Sequence, residues 1–184
     1  MKRNAILHGV GAIASAAVYG FFALPFYTTD ISGELYATMA KANGAKLGAT
    51  NGYQFLDTAL HSSNGSALAT FTAIMALLVL IVAGIALVAS VFALLCDCGV
   101  IKNQKVAKVA GWVALCTTVA LALACVLNLI GNACFVANDY PKNFAKLKLA
   151  GATVKIAAGW ALTIITTVLG LTAACTSVVA KVKK

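Results

Sequence analysis

Cys96-Asp97-Cys98 puts two thiols one residue apart, a spacing that could support redox exchange, acylation or metal ligation. One such pair, with no second pair and no nearby His, cannot complete a tetrahedral zinc site, so no metal and no cofactor is expected. A membrane thiol oxidoreductase using Cys96 and Cys98 or Cys134 is the one enzymatic reading. It lacks a cysteine in the long polar segment 28–66, where a relay partner would be needed. Asn128 and Asn132 stand one helical turn apart inside an apolar run, and Thr163 and Thr167 repeat that spacing in the next. Amides and hydroxyls at such depth must bond a neighbouring helix or face water, so these four are either inter-helix bonds or the lining of a pore between subunits. Lys102, Lys105 and Lys108 recur every three residues, a cationic stripe that suits anionic lipid headgroups. His8 is the one intramembrane titratable group suggested by the sequence, and it fits an interfacial position near the headgroups.

These residues are positioned by apolar runs. Of 184 residues, 61% are hydrophobic and only 10% charged, and the mean hydropathy is +0.93, which excludes a soluble fold. The uncharged stretch Ala67 to Leu95 can close its backbone hydrogen bonds in lipid only as a helix. Four such runs give spans at about 5–26, 67–95, 106–136 and 149–180, a single all-α four-transmembrane-helix bundle over 1–184. The connections are then 27–66, 96–105 and 137–148. The net charge of +9 lies in clusters at the ends of the runs, which points to membrane orientation and not to nucleic acid. Close packing is expected along Gly9, Ala12, Ala16 and Gly20 in the first span, and along Thr166, Gly170 and Ala174 in the fourth.

Within 27–66, Ile31, Leu35 and Met39 suggest a short helix. Asn51-Gly52 signals either a type I′ hairpin or the start of a helix over Tyr53 to His61. Asn64-Gly65-Ser66 fits the glycosylation sequon but abuts the second span. Further on, Phe144, Leu147 and Leu149 suggest an interfacial amphipathic turn.

Placing both termini in the cytoplasm puts Lys2, Arg3, Lys102, Lys105, Lys108, Lys181, Lys183 and Lys184 inside, in very short segments where the positive-inside rule is strongest. The 27–66 loop is then extracytoplasmic. The order of elements resembles that of claudin-type and other tetraspan proteins. The tryptophan and cysteine signature of the claudin first loop is absent from Thr28 to Ser66, so the resemblance implies topology and transfers no residue role.

The sequence contains no glycine-rich phosphate loop, His-Glu metalloprotease spacing, nucleophile elbow or CxxC. The expected function is therefore a non-enzymatic structural or scaffold subunit of the membrane. It would form a homo-oligomer or a membrane-protein complex and offer 28–66 to a partner. An oligomeric channel is the alternative, and the thiol oxidoreductase the second.

Overall fold

The computed structural model describes residues 2–31, 38, 42, 48–61, 67–135, 137, 152–155 and 159–182. The order is helix α1 (Lys2–Phe22), strands β1 (Pro25–Ile31) and β2 (Gly48–Asn51), helices α2 (Gly52–His61), α3 (Ala67–Asp97) and α4 (Gln104–Cys134), strand β3 (Ala152–Lys155) and helix α5 (Gly159–Val182). Among the described residues, four helices are long and apolar enough to cross a membrane: Arg3–Phe22, Ala67–Asp97, Gln104–Cys134 and Ala161–Val182. By length and composition, this is a multi-pass membrane protein. At 31 residues each, α3 and α4 rise about 46 Å, more than the hydrocarbon of a bilayer.

The helices close into a ring in which α1 packs on α3, α3 on α4, α4 on α5 and α5 on α1. Each turns inward a row of residues spaced alternately by three and four. The rows are His8, Gly11, Ser15, Val18 and Phe22 on α1, and Thr72, Ala76, Val79, Ala83, Ala86, Ser90 and Ala93 on α3. On α4 the row is Gly111, Ala114, Thr118, Leu121, Cys125, Asn128 and Asn132, and on α5 Thr163, Thr166, Gly170, Ala173, Ser177 and Ala180. A 3.5-residue repeat keeps one seam facing its neighbours along a supercoiling bundle. The bulky aliphatics point the other way: Ile13 is 71% exposed, Val88 70% and Leu123 62%. Small and polar residues inside with large apolar residues outside is the distribution expected where the surroundings are hydrocarbon.

Two ends of the ring are finished differently. Between α3 and α4 the chain reverses through a Schellman motif: Val100 N–H donates to Leu95 C=O (3.1 Å) and Gly99 N–H to Cys96 C=O (3.1 Å). Gly99 takes φ +81°, which a side chain would resist. Asn103 then caps α4, its Oδ1 accepting from the N–H groups of Lys105 (3.0 Å) and Val106 (3.4 Å).

At the other end the strands form an antiparallel sheet in the order β2-β1-β3, with Thr28 opposite Ala49 on one side and Lys155 on the other. This small sheet adds to a chain otherwise almost all helical. It also moves two boundaries. The first span stops at Phe22, not residue 26, because Leu24 precedes Pro25 and is steered out of the helical region. The fourth starts at Gly159, not 149, because Ala152–Lys155 is drawn into pairing with β1.

Asn51-Gly52 is a helix start and not a hairpin. Gln54 N–H donates to Asn51 Oδ1 (2.8 Å) while Asn51 N–H donates to Gln54 Oε1 (3.1 Å). This reciprocal capping box satisfies two otherwise orphaned donors and launches α2. The expected helix around Ile31, Leu35 and Met39, the sequon at 64–66 and the amphipathic turn at 144–149 lie outside the described residues, apart from Ile31 itself, which ends β1.

Helix α2 lies against the sheet-side end of the bundle. Leu56 is buried with Val18 and Phe22, and the Phe55 ring meets Phe135 at 5.9 Å. Tyr53 stacks obliquely on Phe22 (6.1 Å) and donates its hydroxyl to the Tyr19 carbonyl (3.0 Å). Partial burial, and after it the neighbouring Tyr19, raise the Tyr53 pKa above its ordinary 10.0. The folded state therefore holds that proton more firmly than the unfolded state. The resulting stability is complete below pH 10 and is lost as pH rises through the raised value. Accordingly, limited proteolysis of α2 should accelerate above pH 10 in the wild type and show a flatter alkaline dependence in Tyr53→Phe; parallel profiles would count against this role.

Candidate functional site

The polar groups that chemistry or conduction would use form a buried seam running the length of the ring. At the turn-side end, α1 begins beside the end of α3, so His8 Nε2 lies 3.6 Å from Asp97 Oδ2 although the two are far apart in sequence. At this distance the contact is electrostatic and longer than a hydrogen bond. His8 is thus buried between helices at the turn-side end of the bundle; its polar ring is turned inward as Ser15 is. The clue in the sequence was antiparallel order, which brings an acid ending one span level with a histidine opening another.

Deeper in, most hydroxyls return to their own helix: Ser15 to Gly11 C=O (2.9 Å), Thr118 to Ala114 C=O (2.7 Å) and Thr72 to Leu68 C=O (2.8 Å). The Oγ atoms of Ser90 and Ser177 are buried and make no hydrogen bond among the described residues. Toward the sheet the bonds cross between helices. Asn132 Nδ2 donates to Thr163 Oγ1 at 2.9 Å, and Thr167 Oγ1 donates to Cys125 C=O (3.3 Å) besides returning to Thr163 C=O on its own helix (2.8 Å). Asn128 is buried one turn below Asn132. All four residues are therefore buried inside the bundle of the described chain.

Close backbone approach accompanies this bonding. A Cβ on Gly170 would stand 3.0 Å from Cys125 Sγ and 3.4 Å from Ala122 Cα, so a side chain here would require α4 to give by a few tenths of an ångström. Thr166 and Ala174 are buried on the same face of α5. Across the ring, a Cβ on Gly84 would lie 2.7 Å from Tyr19 Oη, which donates to Leu80 C=O at 2.6 Å. Tyr19, unremarked in the sequence, is therefore a junction between α1, α3 and α2.

The predicted stripe on α1 is a different matter. Ala12 is buried, but Ala16 and Gly20 are exposed and Gly9 is only half-buried, and a Cβ on Gly9 or Gly20 would meet nothing within 4 Å. Small size permits packing without requiring it; polar His8 and Ser15 claim the inward face because leaving them in lipid is costly, and Phe22 lies on the same face.

No protein-family model, curated protein or solved structure matches this chain. The site must therefore be read from its own geometry.

No disulfide joins the cysteines among the described residues, with Cys96 buried and Cys98 exposed. Cys134 ends α4 at the sheet side, separated by the length of that helix from the turn that carries Cys96 and Cys98. Lys102, Lys105 and Lys108 are exposed around the start of α4. Beside them, Lys181 Nζ sits 4.3 Å over the Trp112 ring and donates to Lys108 C=O (3.4 Å), fastening the end of α5 to α4. Among the described residues, no three His, Cys, Asp or Glu side chains come together to hold a metal.

A double-mutant cycle on Asn132→Ala and Thr163→Val, measured by reversible unfolding in detergent, should return a coupling of about 0.6 to 1.7 kcal/mol, the range for hydrogen bonds between helices in membranes. Additive losses would remove the bond from the stability of the bundle.

Proposed function

We propose that this chain is a non-enzymatic tetraspan scaffold of the membrane that self-associates through the outer face of α1 and presents its sheet and α2 to a partner. The observation that carries the proposal is the face just described: exposed Ala16 and Gly20 lie one turn apart with open space over Gly9 and Gly20, flanked by exposed Ile13. A small-xxx-small pair facing lipid lets the backbone of a second helix approach closely. The buried seam supports a structural role over conduction, since the Asn132 amide and most of the hydroxyls bond within the bundle.

The claudin-like arrangement belongs to the same proposal, with both termini cytoplasmic and the sheet extracytoplasmic. Two connections, one before α3 and one before α5, meet in a single sheet and so lie at the same end of the bundle. The short basic turn at the opposite end supplies the inner charge.

Two measurements test this reading. Gly20→Ile should shift the protein in nanodiscs from oligomer toward monomer by light scattering while leaving its unfolding temperature unchanged. A wild type that is already monomeric would refute self-association. For orientation, labelling of Cys98 by an impermeant maleimide, identified as the signal lost in Cys98→Ser, should require permeabilised cells, and labelling of intact cells would reverse the topology.

A further inference from the structure

Along the outer surface between α3 and α4 runs an apolar groove of about 450 Å³, walled by Ala89 and Phe92 on one side and by Val106, Val109, Ala110 and Val113 on the other. A second apolar hollow of similar size shares Ala89, Phe92 and Val113 and extends the groove toward Gly84 and Ile85. The groove therefore follows the helices toward the middle of the membrane. Its lining has one charged member, Lys105, at the end next to the α3–α4 turn. No Asp or Glu among the described residues pairs with Lys105.

We propose that this groove is a binding site for one anionic phospholipid, with an acyl chain laid along the groove and the headgroup phosphate held by Lys105. Small Ala89 and Ala110 form the floor and Phe92 a flat wall, a shape that takes a flexible chain of methylenes. The cation stands at the level where the described helix begins, and the α4 cap at Asn103 fixes that level. Lysine suits the position because its aliphatic stem covers apolar surface while its ammonium reaches the headgroup layer. A zwitterionic lipid would fill the same groove but bring its own cation to Lys105, so the site selects for net negative charge. The occupant is independent of whether α1 mediates self-association, since that face lies on another helix.

Native mass spectrometry of the detergent-purified chain, loaded with phosphatidylglycerol or with phosphatidylcholine of the same acyl chains, reads this directly. The wild type should retain phosphatidylglycerol preferentially. Lys105→Gln should lower that preference about fivefold, the value of one lysine near a charged headgroup. Lys108→Gln removes the same charge one turn away without touching the groove lining and should leave the preference nearly intact. Val109→Phe narrows the groove from its exposed side and should reduce retention of both lipids. Equal losses in Lys105→Gln and Lys108→Gln would mean diffuse surface charge and overturn the proposal. So would unchanged retention in Lys105→Gln, or a dimer that dissociates in Val109→Phe without change in bound lipid, which would assign the groove to a second copy of the chain.

Discussion

Hydrocarbon offers no hydrogen bonds, and the rest of this structure follows from the need to keep polar side chains away from it. The inward rows contain His8, Ser15, Ser90, Thr118, Asn128, Asn132, Thr163 and Ser177. Burying these groups requires helices to meet along them, and meeting along them requires small neighbours. Alanine and glycine fill the intervening positions, so that at Gly170 one backbone nearly touches the next. Large aliphatic side chains, which would fill the core of a soluble protein, are displaced outward where lipid accepts them. Association between such helices is driven by close contact and hydrogen bonding, since burial from lipid supplies little.

The four apolar runs were legible because spanning demands length and absence of charge, both one-dimensional properties. The inward faces were harder to read. Spacing of small residues alone favoured Gly9, Ala16 and Gly20, whereas the fold chose the adjacent face that contains His8 and Ser15. Polarity within a 3.5-residue repeat was the stronger signal, and it marks all four helices. The fourth span illustrates another limit: Ala152–Lys155 is apolar enough to extend a helix, and only pairing with a strand more than a hundred residues earlier makes it extended. The capping box at Asn51 and Gln54, by contrast, is local and was present in the sequence to be recognised. Asp97 near His8 is the intermediate case, readable once antiparallel order is assumed.

The two ends of the bundle divide their tasks. At one, the Schellman turn, the Asn103 cap and the Lys181–Trp112 contact make a short, closed connection with cations around it. At the other, α2 and the sheet cover the helix ends with aromatic contacts from Phe22, Tyr53, Phe55 and Phe135. Tyr19 links these regions to the interior, since its hydroxyl holds α3 and its carbonyl receives Tyr53.

The strand order has a consequence for how the protein is made. Because β1 occupies the centre of the sheet, one of its edges is covered by β2, made soon afterwards, and the other by β3, which emerges only after α4 is complete. During synthesis the second edge must wait for most of the chain, a contact of long sequence separation and hence slow closure. A nascent chain halted before the last helix would display an open strand edge, the kind of surface that invites foreign pairing. In the finished sheet both edges of β1 are paired, by β2 and by β3.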